Sequence, residues 1–330
     1  MRVYKTNILQ ELTSVLTTEG APFDVAESIS YALLLSEMSG ESAHGLRIFN
    51  KYRDLLHNLD ANSKIELLKE TSSFSVVDSA FLPGLYTAKY CMQVAIDKAR
   101  ENGMYAVLAR HANTYGSAFV YTLQAAQQGI IGVTMANTPA QMPVFEGKKK
   151  MLGTNPLSYA IPAKDELPIL FDMASSKVAK SRINQACEQQ QDVPADWGLD
   201  KDGKGTTSPK EILEGGFMLP FANSPKGYGI AMMVDLFSGM LSGAACLDDV
   251  GFFKSGKMNV GQLFVAIDPR LVYGEHFYID MDSYIRKIKE SGENVRLPGE
   301  NKLLKLVKAE KEGFEVEDNI YKEIMSKEYE

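Results

Sequence analysis

Apolar side chains recur at helical spacing through the first sixty positions. Ile8, Leu9, Leu12, Val15 and Leu16 form one stripe that stops at Gly20. Val25, Ile29, Ala32 and Leu33 form a second, with Asp24 as its cap and Gly40 as its end, and Leu46, Phe49, Tyr52, Leu55 and Leu56 mark a third. No strand-like run interrupts them, so this stretch reads as a small helical unit. From Phe74 the period shortens. Phe74 to Val77, Tyr105 to Ala109 and Ile130 to Ala136 read as strands, as do the runs LSYAIP, PILFDMA and QLFVAID. Helical patterns lie between them at Thr87 to Asn102, Ser117 to Gln128 and Gly227 to Cys246. Strands alternating with helices of this length predict an α/β layer arrangement. Gln189 to Gly216 is polar and rich in Asp, Gly, Pro and Lys, and reads as a long loop of the functional kind. The last sixty residues return to charged helical texture. With no linker and no internal repeat, the two textures interleave rather than follow one another.

Composition narrows the classes. Among 330 residues, 42 Asp and Glu outweigh 35 Lys and Arg, a net charge of −7, which argues against a nucleic-acid partner. Hydrophobic residues at 45% and charged residues at 23% are those of a folded globular chain. Cys91, Cys187 and Cys246 are widely spaced and odd in number, which predicts neither a disulfide framework nor a zinc knuckle. The first residues carry Glu11 too early for a signal peptide, and no run of about 18 uncharged apolar residues predicts a membrane span. A protein of a reducing cytoplasm, with no membrane partner, is expected.

The chemistry-bearing positions are few. No GxGxxG marks an ordinary Rossmann phosphate turn. Gly251 to Lys257 has the glycine and lysine spacing of a P-loop, but Met258 stands where Ser or Thr must hold magnesium, so it reads as a decoy. Of His44, His57, His111 and His276, His44 is set between small residues just past the Gly40 helix stop. Arg47 follows three residues on. A histidine beside an arginine suits a substrate with a carbonyl next to a carboxylate: the guanidinium forks onto the carboxylate and the imidazole protonates the oxygen. The alternative is a helix-start histidine in a local hydrogen bond. His57 reads as a surface residue and His276 as a loop residue. In Leu152-Gly-Thr-Asn-Pro156 the glycine and the Asn-Pro pair are turn chemistry. Asp172 to Ser176 ends a strand and, on this reading, starts a helix, where Ser175 or Ser176 caps and free N–H groups accept an anion such as a pyrophosphate. An ordinary N-cap is the alternative. Lys226 and Gly227 precede the apolar helix and put a cation beside its N-terminus; a solvated lysine is the alternative there.

Taken in order, the runs SGESAHGLRIFNKY, GIIGVTMANTPAQMPVFEGKKKMLGTNPLSYAIPA, FDMASSKVAKSRI, VPADWGLDKDGKGTTSPKEILEGG, NSPKGYGIAMMVDLFSGMLSGAA, GQLFVAIDP and VRLPGE resemble the malate/L-lactate dehydrogenase family of the second type. That family includes ureidoglycolate dehydrogenase, diketogulonate reductase, sulfolactate dehydrogenase and piperideine-2-carboxylate reductase. The resemblance covers nearly the whole chain. It implies an NAD- or NADP-dependent oxidoreductase acting on a small carboxylate substrate, a 2-oxo or 2-hydroxy acid. It also implies a homodimer and an α/β fold that is not a Rossmann fold. In that fold a helical part from both chain ends (residues 1–70 and 268–330) surrounds an inserted cofactor-binding α/β part with a mixed sheet (71–267). By the match, His44 is the proton donor. Cofactor contacts fall on Leu170, Asp172, Met173, Ala174, Ser175 and Ser176, on Lys226 and Gly227, and on Pro298, Gly299 and Glu300. Thr138 takes a position near the nicotinamide that the family often fills with Ser. Three positions depart. Ala43 replaces the family's Ser before the histidine. Ile48 replaces its Arg, with Arg47 one place earlier. Thr114 occupies the catalytic position of a second family His, with His111 three residues before it. These departures keep a cyclic imine acid reductase and a cofactor-binding homologue without catalysis open as alternatives.

Overall fold

The computed structural model describes residues 1–60, 62–253 and 256–326. A mixed sheet of seven strands organises it: β1 Glu66–Glu70, β2 Phe74–Asp78, β3 Met104–Ala112, β4 Ile131–Ala136, β5 Leu157–Ile161, β6 Ile169–Met173 and β7 Val260–Ile267. Their order across the sheet is β1-β2-β3-β7-β4-β5-β6. Only β2 and β3 run parallel, with Phe74 opposite Ala106 and Asp78 opposite Arg110. A parallel pair needs a crossover helix, and α4, Gly84–Asn102, supplies it. β7 lies at the centre and is buried along most of its length, so its sequence VGQLFVAI has the near-continuous apolar character of a doubly covered strand.

Helices α1 Lys5–Thr18, α2 Phe23–Ser39 and α3 Phe49–His57 precede the sheet, and α5 Phe119–Ala126 follows β3. A small lobe holds α6 Lys180–Glu188, α7 Pro209–Leu213 and α8 Pro225–Val234. The chain ends with α9 Pro269–Val272, α10 His276–Lys289, α11 Glu300–Glu312 and α12 Asp318–Met325. One apolar cluster joins Ile8, Leu12, Leu16, Ile29, Leu33 and Phe49 to Ile96, Val107, Tyr121 and Phe264 of the sheet region, and to Leu303, Leu306 and Ile320 near the C-terminus. The two chain ends also pair directly: Arg2–Val3 forms a short ladder with Phe314–Glu315. A separate cluster, built on Met142, Leu152, Val178, Ile183, Ile212 and Met218, is the core of the small lobe.

Several local expectations change. The strand Arg2–Val3 is too short for periodicity to show. Asp24 does not cap α2; it lies in the first turn, and its carboxylate accepts the Tyr86 hydroxyl at 2.9 Å. Glu66–Glu70, grouped by sequence with the helical part, is the edge strand of the sheet. The long polar stretch contains the strand Gly198–Leu199 and α7, capped by Ser208. The apolar helix at Gly227 to Cys246 starts at Pro225, loosens into one π turn at Asp235–Gly239 and ends at Gly243, φ +76°. The loosening coincides with the buried Asp235 carboxylate, which accepts the Asn137 amide at 3.1 Å and the Leu247 N–H at 3.2 Å. His276 opens α10 rather than lying in a loop.

Candidate active site

His44 is presented by a braced turn. Gly40 ends α2 in the left-handed region, φ +88°, and two 3-10 turns follow, Ser42–His44 and Leu46–Ile48; the first carries the histidine. The Glu37 carboxylate holds both ends of that turn, accepting the Ser42 hydroxyl at 2.7 Å and the Leu46 N–H at 2.9 Å. Gly45 is required here: a Cβ would sit 2.2 Å from the same carboxylate and 3.1 Å from the Glu37 backbone. The imidazole between these anchors is half-buried, and Ala43 beside it is exposed. Leu46, Phe49 and Tyr52 then bury the following segment in the main core. Arg47 is exposed and ion-paired with Glu317, so in this conformation its guanidinium is engaged at the start of α12.

The predicted cofactor segments converge. Leu170 donates its N–H to the Pro298 carbonyl at 3.3 Å. Gly299 lies so close to β6 that a Cβ would meet the Leu170 carbonyl at 2.2 Å. Glu300 accepts the Leu297 N–H at 3.0 Å and pairs with Lys289 at 2.9 Å; the Lys289 ammonium, above all, holds its carboxyl below the usual range. Ser175 donates both its N–H, at 2.8 Å, and its hydroxyl, at 3.0 Å, to the Thr154 carbonyl, and its own carbonyl accepts Phe221 N–H at 2.8 Å. Thr138 donates its N–H to the Asn155 amide oxygen at 3.0 Å, and Asn155 in turn donates to the Ala231 carbonyl of α8 at 2.9 Å. Ser224 caps α8 by accepting Gly227 N–H at 3.2 Å. These links bring Thr138, Leu170 to Ser176, Lys226, Gly227 and Pro298 to Glu300 into one connected region.

One detail is corrected. No helix starts at Ser175 or Ser176. The chain after Met173 bends without helix until Lys180; Ser176 bridges to Pro220 and its hydroxyl donates to the Val178 carbonyl at 2.7 Å. The helix N-terminus in this region belongs to α8. Lys226 lies in its first turn with no partner among the described residues, and a Cβ at Gly229 would meet nothing within 4 Å. A free ammonium at a positive helix end facing open space fits a dinucleotide phosphate.

Glu41 and Lys302, absent from the sequence reading, link the two halves. The Lys302 ammonium lies 2.6 Å from Glu41 and 3.1 Å from Asp172, and 4.2 Å from the Phe119 ring centroid. Ser117 donates to the other Glu41 oxygen at 2.8 Å, and the Glu41 carbonyl accepts His44 N–H at 2.9 Å. Burial would raise the Glu41 pKa, but Lys302 outweighs it and the carboxyl titrates below its ordinary value. For the more enclosed Asp172, burial wins and the pKa is raised. Lys302 loses hydration but gains two anions, so its pKa also rises. The only signal in the sequence was a lysine two residues after the PGE run, and its partners stand 130 residues away at Asp172 and 261 away (302 − 41) at Glu41.

Thr114 sits at the end of the β3 connection, where its carbonyl accepts the Tyr52 hydroxyl at 3.5 Å and closely contacts Gly84. His111 does not replace the missing imidazole: its Nδ1 is 2.8 Å from Asp78, and its ring stacks on Phe81. In the P-loop-like run, Lys257 stands over the Phe81 ring at 5.7 Å, and positions 254 and 255 lie outside the described residues. An apolar cavity of about 400 Å³, lined by Ile131, Ile267, Val272, Phe277 and Met281 among others, contains none of the predicted site residues.

A mixed seven-stranded sheet without a glycine-rich turn after its first strand defines an α/β fold outside the Rossmann class. The chain belongs to the malate/L-lactate dehydrogenase family, whose model matches residues 4–325. It is 33% identical to L-sulfolactate dehydrogenase of Methanocaldococcus jannaschii over 95% of this chain and 92% of that protein. Malate dehydrogenase of Pyrococcus horikoshii is 32% identical over 90% and 82%. The solved sulfolactate dehydrogenase of M. jannaschii superposes with a TM-score of 0.88 at 31% identity, covering 98% of this chain and 95% of that one. The protein is an NAD(P)-dependent 2-hydroxy acid dehydrogenase of that family.

Proposed function

We propose that this enzyme interconverts a small 2-oxo acid and its 2-hydroxy acid, with His44 as the proton donor in reduction. The observation that carries this is the braced turn: Glu37 fixes both sides of His44, and Glu41 with Lys302 ties that turn to Asp172. Thr138, Leu170, Asp172, Met173, Ala174, Ser175, Ser176, Lys226, Gly227, Pro298, Gly299 and Glu300 hold the dinucleotide in this reading. Bound nicotinamide supplies or accepts the hydride. His44 delivers its proton to the carbonyl oxygen and takes it back in oxidation. Arg47 binds the substrate carboxylate by exchanging it for Glu317, a swap of one exposed carboxylate for another. Thr114 leaves a smaller polar side chain where a second imidazole would stand.

Positioned acid catalysis contributes about 10² to 10⁴ in rate. His44→Ala is therefore expected to lower kcat at least about a hundredfold with dinucleotide affinity unchanged, measured as NADH oxidation at 340 nm beside calorimetric binding. Near-normal turnover in that variant removes the assignment. The second reading, a dinucleotide-binding homologue without turnover, is favoured by Arg47 engaged at Glu317 and by Ala43 and Thr114. Tight NADH or NADPH binding with no oxidation across 2-oxo acids and cyclic imine acids selects it.

We also propose a homodimer in a reducing cytoplasm. No helix among the described residues is long and apolar enough to cross a membrane, and all three cysteines are free thiols. The two-part division into helical and cofactor-binding regions, 1–70 with 268–330 and 71–267, is carried forward with the edge strand Glu66–Glu70 moved to the sheet side.

A further inference from the structure

Two lysines in the small lobe are placed at an electrostatic cost that nothing among the described residues relieves. Lys150 and Leu152 lie on the same face of the short strand Lys150–Leu152, since side chains alternate along a strand. Lys180 and Ile183 lie on the same face of α6, three residues apart. Leu152 and Ile183 pack in the same apolar cluster, so the two ammoniums are brought to its rim together. Both are half-buried. Neither has a hydrogen bond or ion pair among the described residues, although neighbouring lysines do: Lys149 pairs with Asp248 and Lys177 with Asp196. Lys180 also stands at the first position of α6, with no acidic side chain in that turn to balance it, and a cation is unfavourable at a helix N-terminus. Burial pulls both amines below their ordinary pKa, and for Lys180 the facing Lys150 adds to the effect. Two unpaired, partly dehydrated like charges persist more readily where a ligand compensates them than where packing alone decides.

The location says which ligand. Lys150 precedes Thr154 by four residues and Lys180 follows Ser175 by five, and Thr154 and Ser175 are joined by two hydrogen bonds. Both lysines therefore flank the segment assigned above to the dinucleotide. We propose that Lys150 and Lys180 form a subsite for a multiply charged oxyanion carried by a ligand of the dehydrogenase site. It is either the second acidic group of a dianionic 2-oxo acid or a phosphate of the dinucleotide. The proposal rests on the dehydrogenase reading for its ligands but not for its charge logic.

The test uses the full chain with Lys150→Met, Lys180→Met and the double variant. Steady-state constants are measured with oxaloacetate (dianionic) and pyruvate (monoanionic), each with NADH and NADPH. The double variant is expected to raise at least one KM tenfold or more. The rise falls on oxaloacetate alone if the substrate supplies the anion, on NADPH alone if the 2′-phosphate does, and on both cofactors if the pyrophosphate does. The corresponding Arg variants are expected to retain KM. These ammoniums have no hydrogen bond or ion pair to lose among the described residues, so without ligand the Met variants should melt at or above the parent temperature. Sulfate should raise the melting temperature of the parent and not of the double variant. That sulfate comparison reads the subsite even if none of these 2-oxo acids is turned over, an outcome that would count against the dehydrogenase reading only. Unchanged KM values in an active enzyme, or equal sulfate stabilisation of parent and double variant, overturn the subsite.

Discussion

At the scale of single residues, the site depends on which side chains hold His44 and which only stand beside it. Glu37 spends both carboxylate oxygens on the turn, whereas His44 makes no side-chain hydrogen bond among the described residues. The two positions should therefore fail differently. Hydrogen bonds to charged groups contribute about 1.5 to 3 kcal/mol each. Glu37→Leu is expected to lower stability by at least about 2 kcal/mol, because it strands the Leu46 N–H and the Ser42 hydroxyl, and to lower kcat with it. His44→Ala should lose kcat alone. Urea unfolding beside turnover separates them; a Glu37→Leu protein of parental stability means the brace is not needed. The sequence made His44 legible because a histidine between small residues after a helix stop is conspicuous. Glu37 was not, since a glutamate on a helix looks solvated until its partners are known.

At the scale of elements, long-range ties are what periodicity leaves out. Helical spacing and alternation located α1 to α5 and strands β2 to β7 because each carries its apolar pattern within a dozen residues; β1, exposed along its whole length, carries none. The order β1-β2-β3-β7-β4-β5-β6 could not be read that way: β7 enters the centre from far along the chain, and nothing local to QLFVAID says which strands flank it. The segments proposed to hold the dinucleotide stood out as motifs, but no helix follows Ser176, which bridges to Pro220 instead. Asp282 shows how one side chain fixes an element to the sheet. It is buried on α10, and its carboxylate accepts the N–H groups of Lys164, Asp165 and Glu166 at 3.1 to 3.2 Å. Burial alone would raise its pKa, but these three donors and Arg286 outweigh it and the pKa is lowered. A carboxylate with a depressed native pKa stabilises the fold above its unfolded value and loses that contribution as pH falls through the native one. Asp282→Asn is thus expected to cost about 1 to 3 kcal/mol at neutral pH. The gap to the parent should hold steady above about pH 5 and narrow as pH falls through the unfolded carboxyl's value of about 3.9 and below it. A gap that is constant with pH contradicts the carboxylate's role.

At the scale of the whole molecule, the two chain ends and the sheet share one apolar cluster. That sharing explains why the textures along the sequence interleave. The N-terminal amine reaches Asp318 and the Val316 carbonyl. Asn50 donates to Glu323 at 2.8 Å, and the buried Arg53 is held by Glu19. The helix following His44 is thereby clamped by residues from both ends of the chain. The outer surface is less complete. Along α8 and its continuation, Met232, Leu236, Phe237, Met240 and Leu241 fall at helical spacing and face outward, with Met240 and Leu241 each 62% exposed. A monomer seldom leaves such a contiguous apolar row in water. The row lies on the same helical rod that begins at Pro225 and carries Lys226, so covering it with a second copy would fix the outer side of the region proposed to hold the dinucleotide. A stable interface of ordinary size buries roughly 800 Å² on each partner, and five large apolar side chains at its centre are of the right kind to anchor it. The parent chain is accordingly expected to sediment as a dimer. Phe237→Glu with Leu241→Glu should sediment as a monomer, because each carboxylate would have to be buried unpaired at the contact. Turnover per chain should fall in the monomer if the covered rod steadies the dinucleotide segment. A double variant that remains dimeric places the interface elsewhere, with the apolar groove around Val272, Tyr273 and Tyr284 as the next surface to substitute.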